Sequence, residues 1–252
     1  MPRKARQMSK SDIYHIIMRG INRQKIFIED EDRYRFMQTI KFYKDKSDYQ
    51  IFAYCLMDNH IHLLLKVGSE PLSQIMRRVC GKFVYWYNLK YDRTGYLFQD
   101  RFKSEPVEDD TYFLTVVRYI HQNPLKAGIV KDIERYKWSS YNSYFERDSI
   151  IDTEFVLNIF SRNRDIALTE FAKFNKLHND DHCLDIEKNK RITEKEAKSI
   201  VEKTCLKSQV TDIRKADKRL RDEILEELKE AGLSIRQIEK LTGINRGVVL
   251  KA

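Results

Sequence analysis

The stretch YCLMDNHIHLLLK, residues 54–66, decides the fold of the first half of the chain. Two apolar runs of strand length lie on either side of Asp58-Asn59, a pair of residues that favours a tight turn. The sequence therefore predicts a hairpin between one strand over residues 49–57 and a second strand over residues 60–67.

Two of the six histidines of the chain lie in the second of these strands. Side chains alternate between the faces of a strand, so His60 and His62 point to one face and Ile61 points to the other. Two neighbouring imidazoles can bind one metal ion, although a metal site needs at least a third ligand. An isolated pair is more often two histidines on a partly solvated sheet face, so the pair alone leaves both interpretations open.

The flanking segments extend the hairpin into a sheet with helices. Apolar periodicity, acidic helix starts and breaker residues give the remaining predicted elements. They are a strand at 12–20, a helix at 29–48, a helix at 71–90, a strand at 95–107 and a helix at 108–123 that ends before Pro124. The order β-α-β-β-α-β predicts an α+β fold of ferredoxin-like arrangement, with an antiparallel sheet, helices on one face and one added helix.

The composition indicates a polyanionic partner. The chain carries a formal net charge of +9, and residues 1–107 hold 20 Lys and Arg against 12 Asp and Glu. The basic excess therefore lies in the half that carries the histidine pair, which favours nucleic acid over a merely solvated surface. The four cysteines form no C-x-x-C pair, and no apolar run reaches the length of a membrane span. We therefore expect a cytoplasmic protein that does not enter a membrane.

The C-terminal region differs from the first half in its sequence pattern. Residues 148–230 are predicted to be mostly helical and show no clear chemistry. In LSIRQIEKLTGINRGVVLKA, residues 233–252, Ser234 suits a helix N-cap and the TGI segment suits a short turn before a second helix. This pattern predicts a helix-turn-helix, with an ordinary helical hairpin as the alternative. The three predicted domains are a first domain at 1–147, a helical connector at 148–215 and a helix-turn-helix-like segment at 216–252.

A second candidate for chemistry is the segment RYIHQNPLKAG, residues 118–128. Tyr119 and Asn123 are four residues apart, so they share one face of the predicted helix. A tyrosine can attack a phosphodiester when something removes its proton, and an asparagine can offer a carbonyl oxygen to a metal ion. The alternative is a packing tyrosine and an asparagine that caps the helix before Pro124. Thirteen other tyrosines compete for the role, so the segment alone favours that alternative.

Four blocks of sequence occur in an order that is typical of a known family. They are YHIIMRGINRQKIFIEDEDRYRF, YCLMDNHIHLLLK, GYLFQDRFKSEPV and YIHQNPLKAGIV…YKWSSY. Over about residues 1–145 they resemble the single-tyrosine HUH transposases, and especially the REP-associated tyrosine transposase branch. The first domain would then be a catalytic domain.

That resemblance implies a site and a reaction. The two metal histidines of the family fall on His60 and His62, and its nucleophilic tyrosine falls on Tyr119. The third metal ligand falls on Asn123, with Gln122 as a weaker substitute. The implied cofactor is a divalent metal ion, Mg²⁺ or Mn²⁺. The implied reaction cleaves and rejoins DNA through a 5′-phosphotyrosine intermediate.

The resemblance also implies partners. They are single-stranded or hairpin DNA, with duplex DNA as a further partner of the helix-turn-helix, and the expected oligomeric state is a monomer or a homodimer. The candidate DNA contacts are basic residues on or beside the predicted elements. They are Arg19, Arg23, Arg77, Arg78, Lys82, Arg101 and Lys103, and the alternative for each is a solvated surface position.

Two rival functions are compatible with the same residues. One is a hairpin-DNA-binding regulator that has the fold but does not cleave, and the other is a metal-dependent nuclease that uses water as its nucleophile. Only the transposase forms a covalent bond between protein and DNA, so that bond separates the three functions.

Overall fold

The computed structural model describes residues 6–146, 150–185, 193–208, 210 and 212–252. The chain forms two compact units, residues 1–186 and residues 187–252. Among the described residues, no helix is both long enough and apolar enough to cross a membrane.

The first unit contains a four-stranded sheet and five α-helices among its described residues. The strands are β1 (Ile13–Arg19), β2 (Gln50–Met57), β3 (His60–Lys66) and β4 (Lys103–Pro106). The helices are α1 (Asp30–Ser47), α2 (Leu72–Lys90), α3 (Asp110–Lys126), α4 (Thr153–Phe160) and α5 (Arg164–Lys176). The predicted hairpin is β2 and β3, joined by the turn at Asp58-Asn59.

The strands lie in the order β2-β3-β1-β4, and all three pairs of neighbours are antiparallel. The mixed helix and strand content and the antiparallel sheet confirm the predicted α+β class. The ferredoxin-like arrangement of these elements stays a prediction.

The sheet lies between two layers of helices. On one face, Cys80 of α2 lies 3.3 Å, sulfur to sulfur, from Met18 of β1, and α1 packs beside α2 through the rings of Phe36 and Phe83. On the opposite face, Tyr119 of α3 packs against His62 of β3. Helix α3 is therefore the added helix, and it covers the sheet face that carries the histidine pair.

The fourth strand is shorter than predicted. A strand was expected over residues 95–107, but only Lys103–Pro106 pairs regularly with β1. Gly95 has a φ of 89°, and Phe98 forms only an isolated bridge to Gly20. The chain after Gly20 turns into a 3-10 segment, so the backbone pairing here is limited to that bridge, in which the N–H of Gln99 donates to the carbonyl of Arg19 and the N–H of Ile21 donates to the carbonyl of Leu97.

The predicted end of α3 at Pro124 is wrong, because the helix continues to Lys126 with the proline inside it. Proline lacks a backbone N–H and so removes a single helical hydrogen bond. The backbone N–H of Ala127 still donates to the carbonyl of Asn123 at 2.9 Å, which keeps the last turn helical. Asn123 is therefore a helical residue and not the end of the helix.

The last two helices of the first unit belong to the core of the sheet domain. Val156 of α4 and Phe171 of α5 are fully buried in it, and the Phe171 ring stacks on Tyr144 with 4.1 Å between centroids. The predicted boundary between residues 147 and 148 lies outside the described residues. The predicted connector at 148–215 is divided between the two units, because its α4 and α5 pack on the sheet domain.

A glycine after β3 gives the first testable prediction, on stability. A Cβ on Gly68 would lie 2.1 Å from the backbone oxygen of Asp48, so Gly68→Ala forces the backbone to move. We expect the variant to lose about 1–3 kcal/mol of unfolding free energy in urea titrations. The control is Gly81→Ala on α2, where a Cβ meets nothing within 4 Å. That control should gain about 0.5–1 kcal/mol, and equal effects of both changes would contradict the prediction.

The second unit is helical in its described residues. Its helices are α6 (Glu194–Lys207), α7 (Lys218–Glu230), α8 (Ile235–Thr242) and α9 (Arg246–Lys251). Ser234 caps α8 as expected, and Gly243 ends it with a φ of 72°. Ile238, Ile244 and Val249 are buried in one apolar cluster of this unit. Three residues separate α8 from α9, as the sequence predicts, while the assignment as a helix-turn-helix stays a prediction.

Candidate active site

The candidate site lies where α3 crosses β3 and β1. In the antiparallel register, His60 is opposite Arg19 and His62 is opposite Ile17, and opposite residues share one face of the sheet. The ring of Tyr119 lies edge-on to that of His62 at 5.8 Å between centroids. Tyr119 and His62, which are 57 residues apart along the chain, are therefore in contact.

The two candidate metal histidines lie side by side on one face of β3, with their ring planes 78° apart. Their ring centroids are 5.1 Å apart. Nδ1 of His60 lies 2.7 Å from Oδ1 of Asn59, and Nδ1 of His62 lies 3.1 Å from Nε2 of His15. Burial lowers the pKa of both His60 and His62, so both imidazoles are neutral near pH 7. Neutral imidazole is the form that binds a metal ion.

The candidate third ligand lies next to this pair. The charge of Asp185 and the nearby side chain of Asn123 both raise the pKa of His60, which partly offsets the effect of burial. Nδ2 of Asn123 donates to the carbonyl oxygen of Tyr119 at 3.1 Å, so the amide oxygen of Asn123 points away from that carbonyl. Asn123 is thus near both His60 and the candidate nucleophile.

The weaker candidate, Gln122, points away from the site. Its Nε2 donates to the carbonyls of Asn175 and Leu177 at 2.7 and 2.9 Å, and its Oε1 accepts from Nδ2 of Asn179 at 2.8 Å. These bonds tie α3 to the end of α5 and use both ends of the amide. Gln122 is therefore a structural residue here, which favours Asn123 as the third ligand.

His121 lies between these residues in the sequence but has a structural role. It is fully buried, and its ring nitrogens lie 2.8 Å from Oδ1 of Asn175 and 2.9 Å from Oγ of Ser140. Burial lowers its pKa to about 4. Both of its nitrogens are engaged away from the histidine pair.

Tyr119 is 7% exposed and sits at the centre of the site. Burial raises the pKa of its hydroxyl, and a hydrogen bond and charge interaction with Asp185 raise it further. The Lys126 ammonium lies 5.1 Å from the centroid of its ring. The hydroxyl is therefore protonated at neutral pH and needs a proton acceptor before it can act as a nucleophile.

The sequence missed two residues of the site, His15 and Asp185. His15 is fully buried and contacts both His62 and Tyr119. Its position in the alternation of β1 was visible, but only the register of β1 on β3 brings it to His62. Asp185 follows α5 and interacts with Tyr119, His60 and Arg19, and no motif in the sequence marks it.

One buried nitrogen among the candidate ligands fits a bound divalent metal ion. Nε2 of His62 is buried and has no hydrogen-bond partner among the described residues. A buried polar atom normally has a partner, so a ligand to this nitrogen would satisfy it. The described residues contain no group of three His, Cys, Asp or Glu side chains arranged to hold a metal. The candidate set instead combines His60 and His62 with the amide of Asn123.

The predicted DNA contacts fall into two groups, and the first adjoins the site. Arg19 and Lys103 lie on the sheet face that α3 covers, opposite His60 and Ile17 respectively. Arg23 is exposed, and its carbonyl accepts a hydrogen bond from Asn59 at 3.3 Å. Arg101 is exposed just before β4.

The second group lies on α2, beyond the other face of the sheet. Arg77 is exposed, but Arg78 forms a salt bridge to Glu70 at 2.7 Å. The Lys82 ammonium lies 3.5 Å from the ring centroid of Phe42. The structure therefore does not bring Arg77, Arg78 and Lys82 to the tyrosine and histidines.

Comparisons with known proteins find transposases that are similar to the first part of this chain. Residues 9–123 match the family model described as Transposase IS200 like. A curated relative from Haemophilus influenzae, named as a REP-associated tyrosine transposase, is 25% identical over 152 residues, which are 54% of this chain and 84% of the relative. A solved structure of a REP-associated tyrosine transposase bound to a REP hairpin matches with a TM-score of 0.50 at 21% identity. The match covers 58% of this chain and 87% of that chain, and it shows a shared fold.

The family model spans the segment that forms the candidate site. It begins before β1 and ends at Asn123, so it contains His60, His62 and Tyr119. The resemblance that the four sequence blocks indicate is confirmed by these comparisons. Residues 9–123, slightly less than half of the chain, are thus similar to the IS200-like transposases, and a REP-associated tyrosine transposase is among the relatives of this chain.

Proposed function

We propose that this chain is a metal-dependent tyrosine transposase that cleaves and rejoins single-stranded DNA beside a hairpin. The observation that carries the proposal is the contact of Tyr119 with His62, next to His60 and Asn123. A nucleophile, two neutral imidazoles and an amide oxygen are the groups that a metal-assisted transesterification needs.

In the proposed reaction, the Tyr119 oxygen attacks the scissile phosphorus. A bond forms between that oxygen and phosphorus, and the bond from phosphorus to the 3′ oxygen breaks. The product is a 5′-phosphotyrosine and a free 3′-OH, which takes up a proton while the phenol loses one. A second 3′-OH then attacks the phosphotyrosine and restores the phenol, so no external energy source is needed.

The residues around the tyrosine have defined roles in this scheme. His60, His62 and Asn123 would hold Mg²⁺ or Mn²⁺, whose chemistry at such a site is polarisation of the phosphate and neutralisation of its charge. Helix α3 fixes Tyr119 and Asn123 one turn apart, so the nucleophile and the third ligand keep a constant spacing. Arg19, opposite His60, is suited to bind a neighbouring phosphate.

A denaturing-gel assay tests the proposal. The full chain is incubated with Mn²⁺ or Mg²⁺ and a labelled single strand that contains a hairpin from beside its own gene. We expect a slow-migrating protein–DNA band that survives denaturation. Cleavage without that band would support the hydrolytic nuclease, and binding without cleavage would support the hairpin-binding regulator.

A second prediction concerns the DNA contacts. Arg19→Ala should weaken hairpin binding by about 10-fold and reduce the slope of log affinity against log salt by about one, as expected for one phosphate contact. The comparison variant is Arg78→Ala, because Glu70 already neutralises that guanidinium. Titrations of labelled hairpin at several salt concentrations measure both slopes. A larger loss for Arg78→Ala would mean that the hairpin binds over α2.

We also propose that the second unit binds duplex DNA through a helix-turn-helix. The supporting feature is the short connection from α8 to α9, after which Asn245, Arg246 and Lys251 are exposed. The full chain with Lys251→Ala should bind random duplex less tightly than the unchanged chain, with equal binding of the hairpin. Unchanged duplex binding would contradict this role. A measurement of the mass of the chain in solution would distinguish a monomer from a homodimer.

A further inference from the structure

One buried histidine next to the site has no role in the reaction as proposed. His15 is fully buried on β1, and its Nε2 lies 3.1 Å from Nδ1 of His62. The two rings stack with their centroids 5.4 Å apart and an angle of 26° between their planes. In the sheet, His15 is opposite Leu64, so it reaches His62 diagonally across the two strands.

The contact between the two nitrogens holds one proton, which can belong to either ring. If His62 carries it on Nδ1, a neutral His62 has a lone pair on Nε2. If His15 carries it on Nε2, a neutral His62 has its proton on Nε2 instead. Metal binding requires a lone pair, so only the first arrangement leaves His62 able to bind a metal through Nε2.

A metal ion on Nε2 distinguishes the two arrangements. This nitrogen is buried without a hydrogen-bond partner among the described residues. Nδ1 of His15 is likewise buried without a partner in the described part of the chain, so either arrangement leaves one buried N–H without an acceptor there, and the difference lies in what a metal ion offers to Nε2 of His62. A lone pair on it would be satisfied by a bound metal ion.

His60 has a parallel arrangement with a clear direction. Nδ2 of Asn59 donates to the carbonyl of Arg23 at 3.3 Å, which orients the amide of Asn59. Its Oδ1 then faces Nδ1 of His60 at 2.7 Å and can only accept. His60 therefore carries its proton on Nδ1 and keeps the lone pair on Nε2. The amide of Asn59 thus contacts the His60 ring, and the imidazole of His15 contacts the His62 ring.

We propose that His15 is a positioning residue that accepts the Nδ1 proton of His62 and so holds Nε2 of His62 free for a divalent metal ion. Partners of this kind orient metal-binding histidines and fix their tautomer, and their loss typically costs about 10- to 100-fold in metal affinity. The inference rests on the proposed function, because it assumes that the histidine pair binds the metal.

Two substitutions separate hydrogen bonding from packing at this position. His15→Leu fills a similar volume but removes the acceptor, whereas His15→Gln retains an acceptor oxygen close to the position of Nε2. Calorimetric titration of the full chain with Mn²⁺ alone, without DNA, measures metal affinity directly. We expect His15→Leu to weaken Mn²⁺ binding about 10- to 100-fold and His15→Gln to recover most of the loss.

A spectroscopic measurement reports the tautomer itself. Nitrogen-15 spectra of histidine-labelled protein, with His62 assigned from a His62→Ala variant, show which ring nitrogen carries the proton. We expect the proton of His62 on Nδ1 in the unchanged chain and in His15→Gln. A proton on Nε2 of His62 in the unchanged chain would overturn the inference even if His15→Leu fails to fold.

The same titrations test the role of His15 separately from the proposed metal site. If His62→Ala abolishes Mn²⁺ binding while His15→Leu leaves it unchanged, the role of His15 is refuted and the proposed metal site stands. If His62→Ala leaves Mn²⁺ binding unchanged, the proposed metal site itself fails.

Discussion

Tyr119→Phe is expected to eliminate the covalent protein–DNA product and to reduce cleavage by about 1,000-fold or more, since it removes the nucleophilic oxygen. The change deletes one atom from a side chain that is 7% exposed, and the phenyl ring can keep its edge contacts with His15 and His62. The fold and the hairpin affinity should therefore persist. A loss of product with retained binding assigns the chemistry to this hydroxyl.

The matched control lies seven residues earlier on the same helix. The Tyr112 hydroxyl donates to Oε2 of Glu105 at 2.6 Å, and its pKa is raised by burial and by that carboxylate. Tyr112→Phe removes a partly buried phenolic hydroxyl without touching the histidine pair. The covalent band, measured on a denaturing gel, should persist in this variant. Its persistence in Tyr119→Phe would instead mean that another nucleophile acts.

His60→Ala is expected to weaken Mn²⁺ binding by at least about 100-fold and to abolish cleavage at micromolar metal, because it removes one of the proposed ligands. His60 is chosen over His62 because it is partly exposed, whereas His62 is fully buried and its loss would leave a cavity and an unpaired His15. Calorimetric titration with Mn²⁺ measures the affinity, and the gel assay at increasing Mn²⁺ measures any rescue.

An exposed histidine outside the site provides the control for this experiment. His178 follows α5 and is exposed to solvent, so His178→Ala removes an imidazole without changing the core. We expect its Mn²⁺ affinity and its cleavage to equal those of the unchanged chain. Equal Mn²⁺ affinities in His60→Ala and His178→Ala would show that the metal binds elsewhere.

The site explains why a pair of histidines and a tyrosine carry information only together. Each motif alone has an ordinary structural interpretation. His121 illustrates this, because it only joins α3 to Asn175 of α5 and to Ser140. The packing of α3 on β3 brings the side chains of the two motifs into one cluster. The neutral state of the imidazoles follows from that packing, because burial lowers the pKa of both His60 and His62.

Local patterns in the sequence were sufficient for most elements of the first unit. The hairpin, the common face of His60 and His62 and the shared helix face of Tyr119 and Asn123 follow from periods of 2.0 and 3.6 residues. These periods are properties of the backbone, so they need no knowledge of distant contacts. The same local rules failed at Pro124, where the last turn tolerates the loss of a single hydrogen bond.

Only the tertiary structure determined which residues surround the site. His15 reaches His62 because β1 pairs with β3 in one register, and the two residues are 47 positions apart in the chain. Asp185 reaches Tyr119 only after α4 and α5 have packed on the sheet domain. The salt bridge that pairs Arg78 with Glu70 is likewise visible only in the folded structure. Sequence periodicity fixes the direction of a side chain within its own element, but contacts between elements depend on register and packing, which no local pattern encodes.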